Sequence, residues 1–152
     1  MRLNSNVLDM KKGFTLLEML LTITIIAVLG GISAPIYMSF LARNDLSVTS
    51  TIVVQSLRRA QTQSKNMVND SDWGVYMADQ VLTIFSGSAY SLRTVAFDEK
   101  FDIAPTISFS GVTEVVFARF TGDTSDDGDI ILNSNNNETR TITINQKGMV
   151  DY

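Results

Sequence analysis

Residues 14–35 form an apolar run that constrains this chain more than any other feature. Glu18 is the one ionisable side chain within it. A helix rises about 1.5 Å per residue, so a run of about 21 residues can cross the hydrocarbon core of a bilayer. A carboxylate in that core costs at least about 2.5 kcal/mol, which indicates a partner or a function that retains it. The run therefore predicts a helix that lipid or other helices cover.

Cations gather on the N-terminal side of the apolar run, at Arg2, Lys11 and Lys12. Lys and Arg that flank a first membrane span hold that end on the cytoplasmic side. The pattern predicts a single-pass protein of the inner (cytoplasmic) membrane whose N-terminus is inside and whose C-terminal domain is outside.

The segment Lys11-Lys12-Gly13-Phe14-Thr15-Leu16-Leu17-Glu18 resembles the class III signal of type IV prepilins and type II secretion pseudopilins. The resemblance implies that a prepilin peptidase cuts after Gly13 and methylates the new N-terminal residue, Phe14. Lys11 and Lys12 then belong to the basic leader. The resemblance also implies that Glu18 pairs with an N-terminal amine when subunits assemble into a helical filament.

Three other interpretations of the segment remain open. A secretory signal peptide would be cut after Ser33-Ala34, but this run is long, contains an acid and places Pro35 after the cut. A plain membrane anchor needs neither Gly13 nor Glu18. A buried core helix would need a second helix layer, and the remaining sequence does not predict one.

Composition limits the rest of the chain. Its 152 residues leave room for one span and one small domain. The absence of Cys and His excludes disulfides, thiol nucleophiles, imidazole bases and the usual zinc or haem ligands. Removal of residues 1–13 takes away three cations and one anion, so the net charge of −4 becomes −6. Attraction to nucleic acid is therefore not expected.

The helix is predicted to continue past Pro35, because residues 37–69 contain neither Gly nor Pro. Apolar and small residues recur every three or four positions, which predicts one buried helical face; they are Leu46, Ser50, Val53, Leu57, Ala60, Ser64 and Met67. The expected helix covers about residues 14–68 and is roughly 80 Å long, with a possible break at Gly30-Gly31 or Pro35.

Short β segments separated by turns follow residues 69–72. The predicted strands cover residues 73–78, 81–85, 92–97, 106–109, 114–120, 129–132 and 138–145. The predicted fold class is α+β and pilin-like: a long N-terminal helix, with an apolar transmembrane half and an amphipathic half, packs on a C-terminal antiparallel β-sheet domain. The predicted segments are a leader (1–13), a membrane or filament-core helix (14–38), an amphipathic helix (39–69) and the β-sheet domain (70–152).

The β region resembles the GspH/FimT group of minor pseudopilins and minor pilins. The resemblance rests on Trp73-Gly74-Val75-Tyr76 after the helix, on the Val-Leu-Thr-Ile-Phe strand from Val81, and on Thr-Ile-Thr-Ile-Asn-Gln-Lys-Gly-Met-Val near the C-terminus. On physical grounds, Trp73 is expected to be a core anchor between helix and sheet.

Residues 123–130 follow the first part of a calcium loop. Oxygen-bearing side chains stand at Asp123, Ser125, Asp127 and Asp129, with a Gly at the sixth place. The twelfth place is Ser134 instead of the bidentate Glu, so a solvated acidic turn is the competing interpretation. A second acidic cluster, at residues 98, 99 and 102, is a weaker candidate for calcium binding and is expected to be a solvated loop.

An enzyme is not expected, because the sequence has no histidine base, no Gly-x-Ser-x-Gly turn and no phosphate-binding glycine loop. No cofactor is expected apart from the possible calcium. The predicted role is a minor pseudopilin or pilin, in a type II secretion pseudopilus or a type IV pilus-like filament that is periplasmic or extracellular. Its expected partners are the prepilin peptidase, other pilins, the inner-membrane assembly platform and, before assembly, the membrane.

Two alternative functions remain open. A FimT-like minor pilin would bind DNA, but the terminal region offers only Arg140 and Lys147 for this. A membrane-anchored binding domain that never polymerises would keep Lys11 and Gly13 in the mature protein.

Overall fold

The computed structural model describes residues 13–78 and 80–152, without the side chains of residues 32–36. Lys11, Lys12 and the rest of the predicted leader up to residue 12 lie outside the described residues, as does the side chain of Pro35, the predicted kink. The chain divides into two compact units, Met1–Met38 and Ser39–Tyr152.

Helix α1 covers Leu16–Lys65 and passes from the first unit into the second. In the first unit, every described side chain of the helix is exposed. Among the described residues, no helix combines the length and the apolar character that crossing a membrane requires.

The part of α1 in the second unit is amphipathic, as predicted. Six residues of the predicted stripe are buried, at exposures of 5% or less: Leu46, Ser50, Val53, Leu57, Ala60 and Ser64. Serine or alanine occupies three of these positions. Met67 was also predicted to lie on this face, and that prediction is wrong, because Met67 is 48% exposed.

The helix ends at Lys65, earlier than the predicted end at about residue 68. Met67 and Asn69 both adopt left-handed backbone conformations, with φ of 51° and 57°, which an α-helix cannot contain. A short 3₁₀ turn, Val68–Asp70, follows. The Ser64 carbonyl accepts hydrogen bonds from the N–H groups of both Met67 and Phe120, which fixes the end of the helix against a loop of the β domain.

Two antiparallel four-stranded sheets make up the β domain in the described part of the chain. The strands are β1 (Trp73–Ala78), β2 (Val81–Ser86), β3 (Glu99–Asp102), β4 (Ile107–Gly111), β5 (Glu114–Phe117), β6 (Gly128–Ser134), β7 (Thr139–Ile144) and β8 (Val150–Asp151). Their order is β3-β2-β1-β5 in the first sheet and β4-β6-β7-β8 in the second. The antiparallel α+β class predicted from the sequence is confirmed, and the architecture is consistent with a pilin-like fold.

Most predicted strands are present, with ends that differ by a few residues. The strand predicted at residues 92–97 is wrong, because Tyr90–Leu92 and Val95–Phe97 form two 3₁₀ turns instead. Arg93, between these turns, donates hydrogen bonds to the Asp98 carboxylate and to the Tyr90 carbonyl, and its guanidinium lies 3.8 Å from the centre of the Tyr90 ring. These local bonds hold the segment as a folded loop.

One hydrophobic core joins the helix to both sheets. Leu57 and Val53 of α1, Val75 and Phe117 of the first sheet, and Ile142 of the second are completely buried in it. Trp73 packs in the same core and its Nε1–H donates to the carbonyl of Val68 at 2.9 Å. Trp73 is therefore an anchor between helix and sheet, as expected.

Gln61 fastens two loops to the helix through its side-chain amide. Its Nε2 donates to the carbonyls of Gly122 and Lys147, at 3.0 and 2.9 Å. Gly148 allows this close approach, because it adopts φ of 69° and a Cβ there would lie 2.3 Å from that nitrogen. The loops after β5 and β7 thus share one hydrogen-bonding group of α1.

Substitution of Ser64 tests how firmly α1 holds the β domain. The buried Ser64 hydroxyl donates to the Phe117 carbonyl at 2.7 Å, so Ser64→Ala leaves that carbonyl without its donor. We expect a loss of about 1–2 kcal/mol in the free energy of unfolding, measured by urea denaturation with the fluorescence of the single tryptophan. Thr62→Ala is the control, because the exposed Thr62 hydroxyl bonds only Arg58 of its own helix. Equal effects of the two substitutions would contradict this account.

Candidate functional site

The predicted processing site lies in an open segment just before α1. Gly13 is exposed, and a Cβ added there would meet no atom within 4 Å. The Phe14 side chain is 79% exposed. Both residues flank the predicted cut without a packing role in the described part of the chain, so an enzyme could reach the bond between them.

Thr15 caps the helix that follows. The Glu18 N–H donates to Thr15 Oγ1 at 3.2 Å, and the Met19 N–H donates to the Thr15 carbonyl at 3.1 Å. A threonine three residues before a glutamate is the capping-box pattern, which satisfies N–H groups that the first turn leaves free. The helix therefore begins two residues after Phe14, which leaves Phe14 outside the first turn.

Two threonines of the apolar segment satisfy their hydroxyls within the helix itself. Thr24 Oγ1 donates to the Leu20 carbonyl at 2.7 Å, and Thr22 Oγ1 donates to the carbonyl of Glu18. Such bonds to the carbonyl four residues earlier let a threonine remain in an apolar surrounding without an external partner.

Apolar side chains surround the helix in this segment. Their exposures range from 50% to 83%; the residues are Phe14, Leu16, Leu17, Met19, Leu20, Leu21, Ile23, Ile25, Ile26, Val28 and Leu29. A helix that is apolar on every side is found in contact with lipid or with other protein. The described part of this chain supplies no such cover, so the cover must come from outside it.

Glu18 stands within this apolar surface. Its side chain is exposed, and its carboxylate makes neither a hydrogen bond nor an ion pair with any described residue. An unpaired carboxylate is costly once lipid or helices exclude water. Glu18 therefore needs a donor or a cation when the surface is covered.

The four residues predicted to bind calcium lie in the loop before β6 and at its start. Asp123 accepts a hydrogen bond from Lys147 Nζ at 2.9 Å, and Asp129 accepts one from the Thr143 hydroxyl at 2.7 Å. Ser125 and Asp127 are exposed. In the part of the chain that the structure describes, no group of three or more acidic side chains is arranged to hold a metal ion. Calcium binding stays a prediction.

The second acidic cluster is divided among separate ion pairs. Asp98, whose side chain is 4% exposed, pairs with Arg93 at 3.0 Å, and Glu99 pairs with Arg59 of the helix at 2.8 Å. Asp102 lies on the edge strand β3. The expected solvated loop is wrong, because the Asp98 side chain is largely buried and Glu99 and Asp102 lie on strand β3.

The cap on α1 is a part of the site that the sequence interpretation missed. The sequence prediction includes Thr15 only as part of the processing motif, although the Thr-Leu-Leu-Glu spacing is itself a helix-start signal. The motif thus contains both the predicted cleavage site and the start of helix α1.

Residues 8–34 match the family model described as the prokaryotic N-terminal methylation motif. The match indicates a type IV pilin-like protein and supports methylation of a processed N-terminus. It does not extend into the β domain, so it does not identify the GspH/FimT group. No solved structure matches this chain.

Substitution of Thr15 tests the cap. Thr15→Val removes the hydroxyl oxygen that accepts the Glu18 N–H, and such losses cost about 1 kcal/mol of helix stability. We expect hydrogen exchange of the Glu18 amide to accelerate about fivefold in micelles, as measured by NMR. Thr15→Ser keeps the oxygen and is the control; it should exchange as the wild type does. An unchanged rate in Thr15→Val would show that the cap contributes nothing.

Proposed function

We propose that this chain is a minor pseudopilin, a structural subunit of a type II secretion pseudopilus or a closely related type IV pilus-like filament. The observation that carries the proposal is the all-round apolar surface of α1 between Leu16 and Leu29, which the described chain leaves uncovered. Within the pilin-like class, the GspH-like assignment rests on the resemblance of the β region.

Under this proposal, the apolar surface is buried first by membrane lipid and later by neighbouring subunits. In the precursor, lipid of the inner membrane surrounds the helix while the leader stays in the cytoplasm. After cleavage, neighbouring helices of the filament replace the lipid. Helix association in a membrane is driven by packing and by polar contacts, since lipid tails are as apolar as leucine. Assembly therefore depends strongly on the few polar groups of the segment.

Glu18 is the polar group that best explains how neighbouring subunits are aligned along the filament axis. Cleavage after Gly13 creates an amine on Phe14, four residues before Glu18. The Glu18 carboxylate has no partner among the described residues, so an amine from a neighbouring subunit can take that place. In a water-poor filament core, this pairing would favour one axial stagger over others.

DNA uptake is disfavoured because the net charge of −4 becomes −6 when residues 1–13, with three cations and one anion, are removed. Arg140 donates to the Ser50 hydroxyl at 3.2 Å, and Lys147 pairs with Asp123. DNA binding needs cations that are free to meet phosphates. The proposed partners, which the methylation motif supports, are the prepilin peptidase, other pilins and the inner-membrane assembly platform.

Substitution of Gly13 separates processing from folding. Gly13→Val places a branched side chain beside the proposed cut, and no described atom opposes that side chain. We expect the leader to be retained, as seen by immunoblot of cells that contain an active prepilin peptidase, with an unchanged urea midpoint for the β domain. Cleavage of Gly13→Val at the wild-type rate would contradict the proposed site.

Substitution of Glu18 tests assembly apart from cleavage. Glu18→Ala should be cut normally, because the carboxylate lies beyond the cut, but its co-purification with other pilins should fall at least about tenfold. Glu18→Asp keeps the charge and should retain part of the signal. Normal co-purification of the alanine variant would overturn the proposed role of Glu18.

A further inference from the structure

Strand β4 is an edge strand of the second sheet, and among the described strands it pairs with β6 alone. The Thr106 carbonyl, one residue before β4, accepts the Asn135 N–H at 3.0 Å. The Val112 N–H, one residue after β4, donates to the Asp129 carbonyl at 3.0 Å. An antiparallel strand bonds the same neighbour at every second position. The even-numbered positions of this segment, from 106 to 112, therefore bond the β6 side.

The odd-numbered positions of β4 direct their main-chain groups away from β6. These outward groups include the carbonyl of Ile107, the N–H and the carbonyl of Phe109, and the N–H of Gly111. None of the four forms a hydrogen bond with another described residue. They recur at every second residue, about 7 Å apart along the strand. Another extended main chain offers donors and acceptors at the same spacing.

The other three edge strands in the described part of the chain are protected. Three of the four residues of β3 are charged, and β8 has only two residues. On β5, the Val116 N–H donates to the Asp126 carboxylate at 3.0 Å. The Ala118 N–H, just after β5, donates to the Asp123 carbonyl at 2.8 Å, so a loop covers this edge.

Charge, shortness and cover are the means by which edge strands avoid pairing with another chain. Strand β4 has five residues, and residues 103–113 around it contain no charged side chain. Of the four edges in the described sheets, β4 is therefore the one best suited to accept a further strand.

The two faces of β4 differ in polarity. Ile107 is buried and the half-buried Phe109 packs against the core, whereas Ser108 and Ser110 are exposed. Residues directly opposite each other in neighbouring strands lie on the same face of a sheet. A strand that adds to β4 therefore has an apolar residue opposite Phe109 and polar residues opposite the serines, so its sequence alternates.

Space is available beside the strand. A surface cleft of about 400 Å³ lies between β4 and the end of β1, two strands that are not hydrogen-bonded to each other. Ile107, Ser108 and Phe109 line the cleft from β4, and Tyr76 and Met77 line it from β1. The cleft leaves room for an apolar side chain of an added strand.

We propose that the outer edge of β4 binds an extended segment of another protein, which adds to the second sheet as an antiparallel strand. The ligand class follows from the unpaired main-chain groups and the absence of edge protection. Every strand pair in the described sheets is antiparallel, which favours that direction. The net charge of −4 favours a neutral or basic segment over an acidic one.

A second copy of this chain is a less suitable occupant. Two antiparallel β4 edges would be related by a two-fold axis normal to the sheet. Because α1 packs against the sheets, such an axis would point the two α1 helices in opposite directions. Under the proposed function both helices enter the same membrane, which disfavours this pairing.

The test is amide hydrogen exchange, measured by NMR on the full chain in detergent micelles. The probe is a capped octapeptide, Lys-Thr-Val-Thr-Val-Thr-Val-Lys. At saturating peptide, exchange of the Phe109 and Gly111 amides should slow at least about fivefold, because peptide carbonyls accept these N–H groups. The Ser108 and Ser110 amides should change less, since they already bond β6.

Two outcomes would overturn the proposal. The first is unchanged exchange of the Phe109 and Gly111 amides when the peptide is added. The second is protection of these amides in the free protein that increases with protein concentration, which would identify a second copy as the occupant. Neither outcome depends on cleavage or on filament assembly, so failure here is distinguishable from failure of the proposed function.

Two N-methylated peptides test the strand register without altering the protein. In the proposed register a valine lies opposite Phe109, so the valine N–H groups point towards β4 and the threonine N–H groups point away. N-methylation of the three valines should remove the protection of the Phe109 and Gly111 amides. N-methylation of the three threonines should leave it. Equal effects of the two peptides, or a loss only with the methylated threonines, would contradict the assigned edge.

Substitution of Phe109 tests the protein side of the same bonds. Phe109→Pro removes an outward N–H that β6 does not use, and proline is tolerated at such edge positions. Phe109→Leu also removes the ring but keeps the N–H, so it is the matched control. Peptide binding, followed by the Gly111 amide shift, should weaken at least about fivefold more in the proline variant than in the leucine variant. Trp73 fluorescence verifies that each variant folds. Equal binding by two folded variants would contradict the proposal.

Discussion

Helix α1 carries apolar side chains along its whole length, but the described chain covers them only from Ala42 onward. Up to Leu41, the large apolar side chains that the structure describes are at least 40% exposed. Apolar surface of this extent on a single helix is not stable in water. This surface must be buried by lipid or by other proteins. That requirement explains the N-terminal motif, the position of Glu18 and the proposed assembly together.

The covered part of the same helix is built differently. Ser50, Ala60 and Ser64 are buried on the helix face that also carries the core residues Val53 and Leu57. Hydrogen bonds from Ser64 and Gln61 to loop carbonyls then position the β domain on the helix. The N-terminal part of α1 thus exposes an apolar surface that partners can cover. The later part of the same helix packs on the β domain.

Local patterns predicted most of this fold, and the failures have identifiable causes. Strand β1 was predicted with its observed ends, because its apolar residues lie between clear turn signals. The segment at residues 92–97 contains strand-forming residues such as Thr94, Val95 and Phe97, but an ion pair of Arg93 with Asp98 and its stacking on Tyr90 hold it as turns. Strand β3 was missed because three of its four residues are charged.

We propose that this chain is a processed filament subunit, and the most direct test is the intact mass and N-terminal sequence of the membrane-associated protein. The measurement compares protein produced with and without an active prepilin peptidase. The account predicts a chain that begins at Phe14 and carries one added methyl group when the peptidase is active. A chain that keeps Lys11 and Gly13, or one cut beyond Ala27, would contradict it and indicate an anchored or secreted β domain.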